Sequence, residues 1–172
     1  EVYMNLELEE KTINALHWIT KILNNNKINY QISGGLAGKI FGSKRELHDI
    51  DIDISKKDFK KILPEVSDYI TYGPARYIDA KWNLELITLN YNGQEIDISD
   101  SDSFLISNKE RTEWIPFLTD FLKTLDVDLN NKKIKVINPK DFLEYKEELD
   151  GEHQLEDIES VKNYLIKNNY NK

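Results

Sequence analysis

An α+β sheet domain with a helical tail is the fold class this sequence predicts, and three patterns carry it. Ile13, Leu16, Ile19 and Leu23 recur at helical spacing near the start. Asp49-Ile50-Asp51-Ile52-Asp53-Ile54 alternates with the period of two that marks a strand. Leu84 to Tyr91 and Gln94 to Ser99 flank Asn92-Gly93, a dipeptide that favours the tight type I′ hairpin turn.

The elements follow in order. Leu8 to Asn24 reads as a helix closed by Asn24-Asn25-Asn26, and Tyr30 to Ser33 as a short strand running into Gly34-Gly35. Leu36 to Phe41 is a short helix stopped by Gly42, and Ser43 to Leu47 a polar loop before the acidic strand. Ser55-Lys56-Lys57-Asp58 has the form of a capping box opening a helix with Phe59, Ile62 and Leu63. Tyr69 to Tyr72 is a strand candidate that Gly73-Pro74 breaks; Ile134 to Ile137 is a last strand before Pro139. Two helical stretches close the chain, Pro139 to Leu149 and His153 to Ile166. The expected organisation is one domain over residues 1–172, with a core at about 8–137 and a helical extension at about 138–168. Glu1-Val2-Tyr3 precede the first methionine and read as added residues.

Bulk composition narrows the function. Lys plus Arg number 23 against 31 Asp plus Glu, a net charge of −8, which argues against duplex DNA and anionic membranes as partners. The chain has no cysteine, so disulfides, thiolate zinc sites and a cysteine nucleophile are excluded. His17, His48 and His153 lie far apart, without metalloprotease spacing. No apolar run has the length to span a bilayer, and the expected location is cytoplasmic.

The chemistry concentrates in the acidic strand. With Ile50, Ile52 and Ile54 turned to the core, Asp49, Asp51 and Asp53 project together from the other face. Such a cluster repels itself unless a cation neutralises it, and hard oxygen ligands suit Mg²⁺. Two-metal phosphoryl or nucleotidyl transfer needs carboxylates that hold two cations about 4 Å apart. Asp49 and Asp51 supply two ligands; the third comes from the hairpin, where Asp97 is preferred and Glu95 is second choice. Asp97 is also the candidate general base. Ser33, Gly34 and Gly35 open a helix whose amides favour phosphate oxygens, and Lys39 and Arg45 are the nearest cations for a triphosphate. Two other readings fail. A calcium-loop reading of Asp49-x-Asp51-x-Asp53 meets Ile54 and Lys60 where glycine and glutamate are needed. A P-loop reading of Gly34 to Lys39 is one residue short and meets Ile40 in place of Ser/Thr.

Gly34-Gly35-Leu36-Ala37, Arg45 and Asp49-Ile50-Asp51 together resemble the nucleotidyltransferases of the DNA polymerase beta superfamily, in the manner of the small aminoglycoside- and lincosamide-modifying enzymes. The resemblance implies a mixed sheet flanked by helices, two Mg²⁺ ions, an NTP donor and transfer of a nucleoside monophosphate to a hydroxyl acceptor. It matches the family's two strand aspartates to Asp49 and Asp51 and its third carboxylate to Asp97. The segment from Ile137-Asn138-Pro139 through Lys146 to Asp157 is similar to the region after the last strand in many of these proteins. A lysine and a later aspartate recur there, which makes Lys146 a donor-site candidate and Asp157 its companion. Leu36 stands where drug-modifying members often carry tryptophan, and His48 lies one residue before the first aspartate, not two.

Three functions are compatible with these residues: a nucleotidyltransferase with a small-molecule acceptor favoured, a catalytically silent binding module of a toxin-like system, and a two-metal phosphohydrolase. The intact carboxylate triad and the glycine turn favour the first. Asp53 reads as a surface or supporting residue, Lys146 alternatively as a surface pair with Asp150, and Ser99 to Asp102 as a solvated turn.

Overall fold

A computed structural model describes residues 2–170. Its strands are β1 (Val2–Met4), β2 (Tyr30–Ser33), β3 (Asp49–Ile54), β4 (Ile70–Ile78), β5 (Trp82–Tyr91), β6 (Gln94–Asp100), β7 (Leu105–Ser107), β8 (Trp114–Pro116), β9 (Leu125–Leu129) and β10 (Lys132–Val136). The α-helices are α1 (Glu10–Asn25), α2 (Gly34–Ile40), α3 (Lys56–Val66), α4 (Pro139–Glu147) and α5 (Glu152–Lys167). Among the described residues the strands form one mixed sheet, in the order β1-β9-β10-β2-β3-β6-β5-β7-β8, with β4 also paired to β5. The expected α+β architecture, a mixed sheet flanked by helices, is the one observed.

The register of β3 is set by its isoleucines. Ile50, Ile52 and Ile54 are fully buried, as are Ile96 and Ile98 beside them on β6, and they cluster with Leu16, Ile19 and Leu23 of α1 and Phe59 and Ile62 of α3. β2 pairs antiparallel with β3 and β6 pairs parallel with it, placing Ser33 opposite Asp51 and Asp51 opposite Asp97. Gln94 fixes this arrangement from the core. It accepts from the Thr12 hydroxyl at 2.6 Å and donates to the His48 carbonyl at 3.0 Å, so α1 and the start of β3 are held by one amide.

Several elements depart from the sequence reading. The strand at Tyr69 does not stop at Gly73-Pro74; β4 runs on to Ile78 because two register shifts against β5 absorb the irregular pair. Val2 and Tyr3, read as added residues, lie with Met4 in β1, parallel to β9. Ser55 does not cap α3 through its side chain. Asp102 does so from just beyond β6, the strand paired with β3, accepting from the Lys56 amide at 3.0 Å and the Ser55 hydroxyl at 2.8 Å. The Ser99–Asp102 stretch is correspondingly no solvated turn: Ser99, Asp100 and Ser101 are buried, and Asp100 accepts from the Asp102 amide and the Ser103 hydroxyl. The hairpin is as expected, with Asn92 and Gly93 both at positive φ.

Candidate active site

Strand alternation turns Asp49, Asp51 and Asp97 to one face of the sheet. One carboxylate oxygen from each lies within 4.8 Å of the others, and all three residues are half-buried at the wall of a cavity of about 610 Å³. Asp97 is the third member of the cluster; Glu95, its alternative, lines the same cavity as an exposed side chain opposite Asp49. The Thr88 hydroxyl donates to Asp97 Oδ1 at 2.6 Å. Thr88 was legible in principle, since the Asn-Gly turn fixes the β5–β6 register and places it opposite Asp97.

The cluster carries uncompensated charge. Burial, then the neighbouring charges of Asp49, Asp97 and Asp53, push the Asp51 carboxyl well above the usual carboxylate range. Asp97 is pushed up to about 6, by burial first and by Asp49 and Glu95 in addition, against the Thr88 hydrogen bond. Asp53 is no surface residue. It is buried beside the triad, accepts from the Gln31 amide at 2.8 Å, and burial raises it to about 6 despite that bond. Three like-charged oxygen ligands on rigid strands, short of positive charge, suit a hard divalent cation.

Gly34, at φ +57°, is part of the same device. A Cβ built there would lie 1.8 Å from Asp51 Oδ2 and 2.6 Å from its Cγ, so a side chain at Gly34 would displace the central carboxylate. Ser33, Gly34 and Gly35 all line the cavity, with the start of α2 directed at the triad.

Behind the triad sits a charge network that sequence spacing did not reveal. Asp157 of α5, with its side chain 1% exposed, receives two bonds from Arg45, at 3.0 Å from Nε and 2.6 Å from Nη2. Lys146 Nζ lies 2.9 Å from Asp157 Oδ2 and donates to Gln154 Oε1 at 2.8 Å. Burial works against ionisation of Asp157, yet the Arg45 bonds and the Lys146 charge hold its carboxyl below the usual range. Lys146 itself is lowered by burial, with Asp157 opposing. Gly38 leaves room for this carboxylate; a Cβ there would touch Asp157 Oδ1 at 3.0 Å.

Arg45 and Lys146 therefore line the cavity as a pair shared around Asp157, not as free cations, and Asp150 pairs instead with Arg111 at 3.1 Å. Lys39, half-exposed towards the end of α2, does not line the cavity. Gln154 was not singled out from the sequence. Its one signal is the three-residue spacing from Asp157, which places two buried polar residues on one helical face.

The raised carboxyls predict a pH dependence. Asp53 and Asp97 bind protons more tightly in the folded protein (about 6) than at the ordinary value of 3.8. The folded state therefore holds more protons across that window, and stability falls as pH rises through it. Thermal unfolding in a metal chelator is expected to show stability falling as pH rises from 4 to 7. Asp157 acts in the opposite sense: its stabilisation is lost as pH falls from the ordinary value of 3.8 through its lowered one. A melting temperature that climbs from pH 5 to 7 would contradict the assignment.

No protein-family model matches the chain, and no curated protein matches it. Solved structures do. A Thermotoga maritima protein assigned as a nucleotidyltransferase superimposes with a TM-score of 0.68 at 20% identity, covering 94% of this chain and 96% of that one. The lincosamide antibiotic adenylyltransferase LnuA, in its lincomycin-bound structure, gives 0.59 at 20% identity, over 91% and 98%. The antibiotic-resistance factor ANT(2'')-Ia gives 0.57 at 10% identity, over 95% of each chain. At such identities the likeness establishes the fold, which is that of these nucleotidyltransferases.

Proposed function

We propose that the protein transfers a nucleoside monophosphate from an NTP to a hydroxyl of a small-molecule acceptor, releasing pyrophosphate. The observation that carries this reading is the Asp49–Asp51–Asp97 cluster beside the Gly34 turn, set in one cavity on a nucleotidyltransferase fold. Asp49, Asp51 and Asp97 would hold Mg²⁺. When bound, the cation offsets triphosphate charge and lowers the pKa of the attacking hydroxyl.

The chain's own groups do the rest. The amides at the start of α2 favour the phosphate oxygens, and Lys146 and Arg45 supply positive potential from behind them. Asp97, held by Thr88, accepts the proton of the acceptor hydroxyl as its oxygen attacks the α-phosphorus. The bond from that phosphorus to the bridging oxygen breaks, and pyrophosphate leaves. On the Asp97 side, β4 sets Tyr72 opposite Thr88 and Tyr77 opposite Leu84, half-exposed rings on which an acceptor would rest. Among the described residues no helix is long and apolar enough to cross a membrane.

Thermal unfolding with ATP, CTP, GTP and UTP, each with and without Mg²⁺, tests the donor site. A nucleotide at about a hundred times its dissociation constant should add roughly 2.7 kcal/mol, lost in the Asp49→Asn/Asp51→Asn protein. Pyrophosphate release in the presence of acceptor pools separates transfer from hydrolysis. Absence of any Mg²⁺-dependent nucleotide response at millimolar concentration would refute the reading.

A further inference from the structure

Arg45, Lys146 and Asp157 together carry one surplus positive charge, and its direction depends on how Lys146 is held. Asp157 alone does not fix it. Its Oδ2 is shared between Arg45 Nη2 at 2.6 Å and Lys146 Nζ at 2.9 Å, and an ammonium tethered to one oxygen still rotates on its stem. The second tether is Gln154 Oε1 at 2.8 Å, and the side chains of Lys146 and Gln154 are both buried.

Gln154 is in turn oriented by its neighbour. An ammonium has donors and no acceptor, so the amide must turn its oxygen to Lys146 and its NH₂ away. That NH₂ meets His153 Nε2 at 2.9 Å, which accepts only when it is bare, so the proton of the neutral ring sits on Nδ1. Adjacent side chains on a helix ordinarily diverge. Gly151, which caps the start of α5 at φ +108°, lets this ring fold back: a Cβ there would lie 2.8 Å from Cε1 of His153 and 2.9 Å from its Nδ1. His153 is exposed at the cavity wall and has no role in the transfer steps.

Resting on the transfer reading above, we propose that His153 is a positioning residue: through the Gln154 amide it holds the Lys146 ammonium toward the phosphates of the donor. Donors and acceptors alone order the relay. The imidazole lone pair fixes the amide NH₂, and the amide oxygen fixes one N–H of Lys146. Asp157 takes the second N–H, and the third is left for a phosphate oxygen in the cavity that Lys146 lines. Without the imidazole the amide can flip, and a flipped amide sets two donors against each other at a buried site. Lys146 then keeps its bond to Asp157 but loses its aim.

Nitrogen NMR of the imidazole rings in the isotope-labelled full chain reads the tautomer. The His153 signals, identified by their loss in His153→Gln, are expected to show a proton on Nδ1 and a bare Nε2. In Gln154→Leu, which cannot donate, the proton is expected to shift toward Nε2. A proton on Nε2 in the parent protein would overturn the relay. Calorimetric titration with Mg²⁺ and inorganic tripolyphosphate reads the consequence. His153→Leu is expected to lose about tenfold in affinity, the worth of one hydrogen bond to a charged group. His153→Gln, whose Oε1 can accept where Nε2 did, should restore most of it. His153 is exposed, so neither substitution disturbs the core. Parent-like affinity in His153→Leu would overturn the positioning role and leave the transfer reading intact. Equal losses in the two variants would overturn it too, because the ring itself would then meet the phosphates. Failure of the parent protein to bind Mg²⁺-tripolyphosphate would overturn both readings.

Discussion

Asp51→Asn is expected to lower nucleotidyl transfer at least about 10³-fold while raising the melting temperature of the metal-free protein. The two effects have one cause. Asp51 stands between Asp49 on its own strand and Asp97 on the next, and burial plus these charges disfavour its ionised form. An asparagine removes the repulsion and can donate to the neighbouring carboxylates, which favours the empty fold. On the proposed reading it would also remove the central oxygen ligand, so a Mg²⁺-dependent rise in melting temperature should vanish. Paired measurements of turnover and melting temperature, with and without Mg²⁺, check both signs. A variant that loses activity and stability together would mean that the triad is structural.

Lys146→Met is expected to cost about 3–5 kcal/mol of folding stability, the usual result of removing one partner from a buried ion pair. Methionine keeps the length of the side chain, so packing is largely retained. What changes is Asp157, whose buried carboxylate then has Arg45 as its remaining cation, while Gln154 Oε1 loses its donor. Chemical denaturation reads the loss directly. The Lys146→Met/Asp157→Leu double variant, free of the orphaned carboxylate, should recover part of it. A loss below about 1 kcal/mol in the single variant would mean that Arg45 alone satisfies Asp157.

What the sequence disclosed follows the range of the forces involved. β2, β3, the β5–β6 hairpin, α4 and α5 were legible because alternation, Asn92-Gly93 and Asn138-Pro139 are local signals. The triad was legible for the same reason: two members share one strand, and the third sits in a hairpin of matching alternation. β7 and β8 were not, being three residues long and without a clear period, whereas Leu125-Asp126-Val127-Asp128-Leu129 of β9 does alternate and could have been read. Nor was the cap on α3, because Asp102 reaches Lys56 across 46 residues. Arg45 illustrates the limit most clearly. Its nearness to the glycine turn suggested a phosphate contact, but its partner is Asp157, 112 residues away, and no local spacing encodes that pair.

The alternation in β3 and β6 also acts as an error check. Ile50, Ile52, Ile96 and Ile98 lie on the face opposite Asp49, Asp51 and Asp97, and the two strands pair residue for residue. A slip of one position in either would bury carboxylates where Ile50, Ile52, Ile96 and Ile98 now pack, and would turn isoleucine toward the cavity. A one-residue slip therefore cannot lose the carboxylate cluster while keeping the isoleucine core. Quality control that recognises exposed isoleucine would thus also remove chains slipped by one residue, whose acidic site is misassembled.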